Sequence, residues 1–494
     1  MKKLPILILS VLTFAHTLCL AQSQRNKGYP ERGETLDVLP GFQNPPKGYG
    51  NVPFYWWSGD HLTKERLKAQ LDTLASSATD GFAISYIHTD PRTDTIFNKN
   101  GYGLYGKTEP GDPAVFSEEW WDIWKWFSKE CAVRGLGAGL DDYTVGWIGN
   151  GYYPDEVDTC QTFQDYLGSL DIQVIPVQNN ETFQYEIPEH FISAVAWPGN
   201  INLASFIQKG KIRWKVPAGE RKKVYIVKAK KGYILHPEYG KALVNSYFNR
   251  FENKMDATER EGMNYFFQDE LSYPLNMMSW SSDFQKEFSK RKGYDITPYL
   301  AALKAYIGPI TPKIRLDYAE VLMDLSEERY FKPIYDWHAQ RGLMYGSDNL
   351  GRGLRPLAYV DYFRANSWYT APGNDAPSRG SSFIQTKVSS SIAHLYNRPR
   401  TWLEAFHSMG WGSSGEWLTQ QIDHHFMAGG NLVCMHGLYY STHGGWWEWA
   451  PPCFHFRMPY WPHMKTWLNY TERMSYLLSQ GDHVCDIALM YPTE

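Results

Sequence analysis

Short apolar or aromatic runs alternate along most of this chain with longer stretches of helical periodicity. The first run is PFYWWSG (53–59), and the stretch after it places Leu67, Leu71 and Leu74 on one helical face. Strands that alternate with helices are typical of βα units and of a parallel sheet. Eight such runs predict an α/β fold of the (β/α)8 TIM-like barrel type. The runs are 53–59, 81–88, 135–142, 264–270, 342–349, 365–373, 400–407 and 431–441.

The alternation stops between the third and the fourth predicted strand. Residues 160–235 contain several runs in which apolar and polar residues alternate, as in half-buried antiparallel strands. Pro-Ala-Gly at 217–219 separates two of these runs and indicates a hairpin. We therefore predict a small antiparallel β insertion domain at 160–235 after strand 3. It would divide the barrel into a first part at 51–159 and a second part at 236–482.

The chain ends carry their own signals. Two lysines precede an apolar stretch that ends near Ala21, which is the pattern of a secretory signal peptide. Residues 1–21 are therefore predicted to be removed and the protein to be periplasmic or secreted, with 22–50 as an N-terminal linker. No later run reaches the ~18 apolar residues that a membrane span needs. The final residues, 483–494, contain an apolar run that predicts a strand opening a further domain.

Charge and composition exclude some functions. The net charge is −4, which gives no attraction to nucleic acid. The cysteines lack the close spacing of a zinc site. Aromatic residues make up 16% of the chain. This excess is compatible with a large core and also with a site for flat, hydroxylated ligands, and the composition does not decide between the two.

The carboxyl ends of the predicted strands carry most of the candidate site residues. Active sites of such barrels lie at this end of the strands. Six of the strands end in an acid or a histidine, which is more than helix capping requires. The candidates are Trp56, Trp57, His88, Asp141, Asp142, Asp269, Glu270, Asp348, Glu404, His436 and Tyr439.

Paired carboxylates with aromatic neighbours are the groups that glycoside hydrolysis requires. One protonated acid gives its proton to the leaving oxygen, and one carboxylate activates water or attacks the sugar. Glu404 lies inside an apolar strand between Trp402 and Phe406, which is a poor position for a capping acid. Asp269 and Glu270 are adjacent and should point in different directions, because strand side chains alternate. The same acids are hard oxygen ligands that suit Ca²⁺, although they lack EF-hand spacing.

Four segments resemble glycoside hydrolase family 106. They are YWWSGDHLTKERLKAQLDTLASSATDGFAI (55–84), GYDITPYLAAL (293–303), KVSSSIAHLYNRPRTWLEAF (387–406) and HHFMAGGNLVCMHGLYYS (424–441). The resemblance covers roughly residues 50 to 490. Members of the family are bacterial α-L-rhamnosidases that act with inversion and have a calcium ion at the site. The resemblance therefore implies a general acid on strand 4, a general base on strand 7 and terminal α-L-rhamnose as the sugar that is removed from a polysaccharide.

The resemblance also suggests individual roles. Glu404 matches the family's Glu-Ala-Phe glutamate and would be the base. The family often has an acid three residues beyond the strand-end aspartate, where this chain has Ser272. Glu270 is therefore our choice for the acid, and Asp269 for a supporting role or a Ca²⁺ ligand. The remaining candidates would hold the sugar, namely Trp56, Trp57, His88, Asp141, Asp142, Asp348, His436 and Tyr439.

Three alternatives remain open on the sequence. The chain could be a non-catalytic carbohydrate-binding protein on a barrel scaffold, an exo-glycosidase for a different sugar, or an assembly protein that uses its aromatic rim as an interface. Carboxyl groups of Glu270 and Glu404 more than about 12 Å apart would favour binding without catalysis, because inverting enzymes need roughly 6.5–9.5 Å.

Overall fold

The computed structural model of the chain describes residues 37–57, 59–85, 112–141, 163, 165–269, 271, 273–349, 354–375, 383–443 and 452–490. The strands are β1 (Phe54–Trp56), β2 (Gly81–Ser85), β3 (Gly137–Asp141), β4 (Leu167–Val177), β5 (Thr182–Glu186), β6 (Phe191–Trp197), β7 (Ile201–Asn202), β8 (Ile207–Gln208), β9 (Lys211–Lys215), β10 (Lys222–Lys231), β11 (Met263–Gln268), β12 (Met344–Ser347), β13 (Gly373–Asp375), β14 (Trp402–Ala405), β15 (Leu432–Met435) and β16 (Leu438–Tyr439).

The α-helices are α1 (Leu39–Gln43), α2 (Lys64–Ala75), α3 (Glu118–Val133), α4 (Tyr239–Leu243), α5 (Asn249–Lys254), α6 (Phe284–Lys292), α7 (Thr311–Ser326), α8 (Lys332–Arg341), α9 (Tyr362–Asn366), α10 (Phe383–Leu395), α11 (Gly415–Ala428) and α12 (Trp461–Leu478). Single π-helical turns, Val244–Phe248 and Glu327–Phe331, join α4 to α5 and α7 to α8. Short 3-10 helices cover Leu203–Phe206 and Thr297–Leu303.

Two parallel sheets form the main body. One has the order β12-β11-β3-β2-β1-β16 and the other the order β13-β14-β15, and their strand pairs are parallel. A parallel bridge between Gly346 and Ala371 connects β12 with the residues before β13. The N–H of Val52 donates to the carbonyl of Val433, at 2.9 Å, between the start of β1 and β15. The predicted mixed α/β fold with a parallel sheet is thus confirmed.

Seven of the eight predicted strands occur at their predicted segments, with β11 starting one residue earlier than predicted, but the sixth is displaced. The segment predicted as strand 365–373 begins in α9, and the strand itself is β13, Gly373–Asp375. The side chain of Asp361 accepts from the N–H of Arg364, at 3.1 Å, and this cap starts α9. The prediction was wrong because the capping residue outweighs the apolar run that follows it.

The antiparallel strands lie between β3 and β11 in the sequence, within the predicted 160–235. They form one sheet of order β4-β10-β6-β7 and one of order β5-β9-β8. Val224 and Ile226 of β10 pack with Ile212 and Trp214 of β9 between the two sheets. The alternate residues of β10, such as Val227, belong to the core of the main body. Residues 165–231 thus form a β-sandwich that packs against the main body. That it is a separate domain stays a prediction.

The predicted hairpin at 217–219 is wrong. Strands β9 and β10 flank this turn but belong to different sheets, and β10 pairs with β4 and β6 instead. Pairing with β4 on one edge and β6 on the other places β10 inside a four-stranded sheet, and both of its faces are buried. The local turn signal carries no information about this non-local pairing.

Local sequence explains how the helices cover the strands. Thr63 caps α2 by accepting from the N–H of Arg66, at 3.2 Å, and the predicted apolar stripe Leu67, Leu71 and Leu74 is buried. Phe266 points into the helix layer, where it contacts Phe248 with ring centroids 5.1 Å apart. The expected alternation of side chains along this strand is therefore present.

The chain ends differ in part from expectation. The predicted signal peptide and residues 22–36 of the predicted linker lie outside the described residues. Residues 483–490 form no strand with the described part of the chain and are exposed, Leu489 by 92%, and the start of a further domain at 483–494 stays a prediction. Within the described part of the chain, no helix combines the length and the apolar character that crossing a bilayer would require.

Candidate active site

Aromatic rings form a floor on one face of the parallel sheets, which we call the inner face. Phe267 of β11 stacks on Trp402 of β14 with centroids 4.5 Å apart. Phe54 of β1 meets Phe267 edge-on at 5.3 Å. All three side chains are buried. Stacked and edge-on aromatic pairs hold one another in fixed orientations, so the floor is a rigid base for whatever lies above it.

Glycines on β12 and β3, the two strands that pair with β11, leave space for aromatic rings on the inner face. A Cβ on Gly346 of β12 would lie 2.8 Å from the indole of Trp402. A Cβ on Gly139 of β3 would lie 2.7 Å from the ring of Tyr265. Glycine in a strand interior weakens the strand but permits such close approach. The position of Trp402, and of Glu404 two residues later, therefore depends on glycines elsewhere in the sheet.

Acids follow two residues after the floor positions on several strands. Since strand side chains alternate, a residue two positions on from a floor residue lies on the same inner face. Asp375 of β13 is in register with Glu404 of β14. Asp375 is partly exposed, whereas the other members of this acidic layer are buried. The acids in this layer are Asp141, Asp269, Asp348, Asp375 and Glu404.

Asp269, Asp348 and Glu404 form the centre of this layer. One carboxylate oxygen from each lies within 4.8 Å of the others. The exposed fractions are 7% for Asp269, 0% for Asp348 and 5% for Glu404. Three buried carboxylates at this separation cannot all stay ionised without a compensating positive charge. The cluster must therefore hold a proton, a cation or both.

Burial and the neighbouring acids favour the protonated form of Glu404. Burial raises the pKa of Glu404 well above its usual value, and the negative charges of Asp375 and Asp348, a hydrogen bond with Asp348 and the charge of Asp269 raise it further. In the absence of a cation the protein therefore carries Glu404 in its neutral form at a pH at which an exposed glutamate is ionised.

This proton makes the stability of the protein pH-dependent. The folded protein keeps the proton on Glu404 at a pH at which the unfolded chain has lost it, so the contribution is complete below the usual pKa of 4.5. It is lost as the pH rises towards the raised pKa. We expect the thermal unfolding midpoint, measured by calorimetry in the presence of a chelator, to fall as the pH is raised from about 5 to about 8.

The matched variant is Glu404→Gln, in which a neutral amide replaces the neutral carboxyl and cannot ionise. Its unfolding midpoint should decline less than that of the unaltered protein over the same pH range. Equal slopes for the two proteins would contradict the assignment of the proton to Glu404.

Asp141 and Cys434 extend the cluster. The hydroxyl of Ser85 donates to the Oδ2 of Asp141, which is fully buried at the end of β3. Cys434 of β15 is in register with Glu404. Burial, followed by the charges of Asp348, Asp269 and Asp141, raises the pKa of the Cys434 thiol. This thiol therefore stays neutral and adds no further negative charge beside Glu404.

His436, Trp56 and Tyr439 lie at one side of the acids. The ring of His436 is 5.4 Å from those of Phe54 and Trp56 and 4.6 Å from that of His407. Burial and the neighbouring His407 lower the pKa of His436 well below its usual value, so the ring is uncharged. Tyr439 is buried and in register with Trp56. These three predicted sugar-binding residues are thus brought together on the acidic side of the molecule.

Trp57 lies on the opposite face of β1. Its ring meets Phe127 of α3 at 4.7 Å and Tyr55 at 5.9 Å, and the side chain is fully buried. The predicted contact between Trp57 and a sugar is therefore corrected, because a Trp-Trp pair in a regular strand cannot place both rings on one face.

Three predicted site residues cannot be placed in the described structure, and one residue near the site was not predicted. Glu270, His88 and Asp142 lie outside the described residues, so their predicted roles stay predictions. Asp375 was not among the candidates, although it is in register with Glu404 and its charge acts on that residue. The signal was an acid at the end of an apolar segment, and it was overlooked because the sixth strand was placed too early.

Comparison with known proteins agrees with this geometry. The sequence model of glycoside hydrolase family 106, described as alpha-L-rhamnosidase, matches residues 200–494, which is more than half of the chain. The chain belongs to glycoside hydrolase family 106. The predicted family resemblance is therefore confirmed. The acidic cluster of this family 106 chain and its strands β11 to β16 lie inside the matched region.

Two individual proteins are similar to this family 106 chain. A solved structure titled as a rhamnosidase from Novosphingobium sp. PP1Y superposes with a TM-score of 0.66 at 12% identity, and the match covers 91% of this chain and 61% of that one. This likeness concerns the fold. A curated protein from Formosa agariphila named putative beta-glucuronidase is 24% identical over 245 residues, 44% of this chain and 19% of that protein. The family 106 chain thus spans a fifth to three fifths of the length of these relatives.

Proposed function

We propose that this chain carries the active site of a secreted glycoside hydrolase that removes a terminal sugar, α-L-rhamnose, from complex glycans. The observation that carries the proposal is the cluster of Asp269, Asp348 and Glu404. Three buried carboxylates are costly for the fold, and such perturbed groups concentrate at functional sites. Their position at the carboxyl ends of parallel strands is where enzymes of this architecture place their chemistry.

We further propose that the parallel strands close into the (β/α)8 barrel that the sequence predicts. The parallel bridge between Gly346 and Ala371 supports closure on one side. The hydrogen bond from Val52 to Val433 supports it on the other. In a closed barrel the acids of all strands would converge on one mouth, which suits an enzyme that acts on the ends of sugar chains.

In the proposed mechanism Glu404 is the general base and Glu270 the general acid. An inverting enzyme places its two catalytic carboxyl groups about 6.5–9.5 Å apart, so that a water molecule fits between the base and the sugar. Asp269 approaches Glu404 within 4.8 Å, which is closer than this spacing. Asp269 therefore supports Glu404, and the proton donor is a different acid. Glu270, the next residue in the chain, is our choice for it.

A cation is a natural partner of this cluster. Ca²⁺ is bound by oxygen ligands at about 2.3–2.6 Å, so two ligand oxygens on one ion lie at most about 5 Å apart. The 4.8 Å limit for Asp269, Asp348 and Glu404 fits this geometry. We propose that these residues hold Ca²⁺, whose charge would favour the ionised form of the carboxylates around it. The carboxylate of Glu404 could then accept a proton from water, as a base must.

The sugar would lie beside the uncharged rings on the other side of the acids. Trp56, His436 and Tyr439 offer apolar faces and polar edges to a sugar ring. Asp141 and Asp348 would accept hydrogen bonds from sugar hydroxyl groups.

An exo-glycosidase for a different sugar is the second candidate. The relative named putative beta-glucuronidase is the observation that favours it. A non-catalytic carbohydrate-binding protein is less well supported, because binding alone does not require three buried acids at this separation.

A panel of aryl glycosides tests the proposal. Purified protein should release 4-nitrophenol from the α-L-rhamnoside and not from the β-D-glucuronide or the α-L-fucoside. A chelator should reduce the rate, and added Ca²⁺ should restore it. Cleavage of the glucuronide alone would favour the second candidate. Tight sugar binding with no cleavage of any substrate, including natural oligosaccharides, would support the binding protein.

A further inference from the structure

The interior of the β-sandwich is apolar at one end and polar at the other. In β4 the residues that face between the two sheets are Val177 and Ile175 at one end, and Gln173 and Asp171 at the other. Strand β10 follows the same order, since Ile226 is in register with Gln173, and Lys228 with Asp171. The interior of a sandwich is normally apolar throughout. Gln173 is exposed and Asp171 is partly exposed, so the polar end of the interior is open to solvent and accessible to a ligand.

A cleft opens at this polar end. Its volume is about 190 Å³, and it is lined by Asp171, Gln173, Tyr185, Pro188, Ile226 and Lys228. This volume is smaller than the ~300–1,000 Å³ of pockets that enclose whole drug-sized ligands. The cleft therefore suits one sugar ring of a longer chain that continues into solvent.

The groups in the cleft are those that proteins use to hold sugars. Tyr185 is partly buried, and its hydroxyl donates to the Oε1 of Gln173 at 2.6 Å, which fixes the phenol ring at the edge of the cleft. An aromatic face, an amide and a carboxylate together match the apolar face and the hydroxyl groups of a pyranose. Ile226 closes the base of the cleft with an apolar surface.

The ammonium group of Lys228, which lines the cleft, makes only a long contact with the nearest carboxylate. The ammonium of Lys228 lies 3.8 Å from the carboxylate of Asp171, and that of Lys230 lies 3.6 Å from it. Charge-assisted hydrogen bonds are about 2.7–2.9 Å long, so both contacts are longer than such a bond. One carboxylate is thus shared by two ammonium groups, and Lys228 keeps its donors for an incoming anion.

The surrounding charge favours an anion as well. Residues 165–235 contain ten lysines and arginines and six aspartates and glutamates, for a net charge of +4, whereas the whole chain has a net charge of −4. The sandwich is therefore the basic part of an acidic chain. A net positive charge of this kind attracts negatively charged ligands over a distance set by the ionic strength.

We propose that the cleft is a second carbohydrate-binding site that takes a hexuronate residue of a polysaccharide. The carboxylate of the uronate pairs with Lys228, the sugar ring lies against Tyr185, and its hydroxyl groups bond to Gln173 and Asp171. The inference rests on the proposed function in one respect, that the natural ligand is a glycan. The site would hold an acidic polysaccharide on the enzyme while the terminal sugar is removed elsewhere.

Calorimetric titration with two tetrasaccharides tests the assignment, one of galacturonate and one of galactose. The unaltered protein should bind the galacturonate oligomer and bind the neutral oligomer at least about fivefold more weakly, the loss expected for a hydrogen-bonded charge at a partly exposed site. Lys228→Met should reduce galacturonate affinity by a similar factor, and Tyr185→Ala should weaken it too. The matched control is Lys215→Met, the same change at an exposed position of β9 in the same sandwich.

The results of this titration distinguish a specific uronate site from a general electrostatic attraction. Equal losses in Lys228→Met and Lys215→Met would mean that only the general positive field acts, and would overturn the site. Equal binding of the two oligomers, or no binding of either, would also overturn it. All three variants should keep the turnover of the small aryl rhamnoside. Uronate binding that depends on Lys228, in a protein that cleaves no glycoside, would support the cleft and refute the proposed activity instead.

Discussion

Glu404→Gln is expected to lower kcat by about 10²–10⁴-fold on the substrate that the protein cleaves best, which is the usual contribution of a general acid or base. Glutamine has nearly the shape of protonated glutamic acid, so the packing above Trp402 should survive. It cannot take a proton from water, and it contributes no charge to the cluster with Asp269 and Asp348. Initial rates with the aryl substrate at saturating concentration measure the effect.

The matched control is Glu416→Gln, because Glu416 is an exposed residue in the first turn of α11. It should leave kcat unchanged. In the presence of a chelator the Glu404 variant should also unfold at a temperature no lower than the unaltered protein, since it removes an acid from a repulsive cluster. Turnover within about tenfold of the unaltered enzyme would contradict the base role, because general-base catalysis contributes more than that.

Arg400→Ala is expected to have the largest effect on stability, a loss of about 3–5 kcal/mol in the free energy of unfolding, because three buried acceptors lose their donor and the space of a large buried side chain is left empty. The guanidinium of Arg400 is buried at the start of the seventh strand region. It donates to the carbonyl of Asn431 at 2.6 Å, to the carbonyl of Gly48 at 3.2 Å and to the hydroxyl of Ser475 at 2.9 Å. One side chain thus ties together the segment before β1, the start of β15 and α12.

Urea unfolding followed by tryptophan fluorescence measures the loss. Arg213→Ala removes the same side chain from an exposed position of β9 and should change the free energy of unfolding by less than about 0.5 kcal/mol. Arg400→Lys should recover only part of the stability, because an ammonium cannot reach three acceptors in different directions as the planar fork does. A small effect of Arg400→Ala would show that the three segments are held together by packing alone.

The parts of the fold that were predictable depend on periodicity. Alternation of apolar runs and amphipathic stretches located seven parallel strands, since burial of a strand and of a helix leaves different spacings in the sequence. The sixth strand is only three residues long, and the helix start at Asp361 was the stronger signal. The prediction of a hairpin at 217–219 was wrong for a different reason. The strands that pair with β10 are distant in the sequence, so a local turn signal cannot identify them.

The candidate site was also predictable only in part. Glu404 could be identified because it lies inside an apolar strand two residues after Trp402, which places both side chains on one face. The pair Trp56 and Trp57 could not both face the site, and only the contacts of each ring decide between them. Asp269 was expected in a supporting or metal role, and its proximity to Asp348 and Glu404 suits that role. That proximity depends on glycines in neighbouring strands, which no local pattern reveals.

The stereochemistry of the first product tests the central proposal most directly. Hydrolysis of 4-nitrophenyl α-L-rhamnoside can be followed by proton NMR, in which the two anomers of the released sugar give separate signals before they equilibrate. Attack by a water molecule that Glu404 activates passes through a single displacement, so β-L-rhamnose should appear first, and Glu404→Gln should produce no sugar in the same time. Initial formation of α-L-rhamnose, or cleavage that persists in Glu404→Gln, would contradict the proposal.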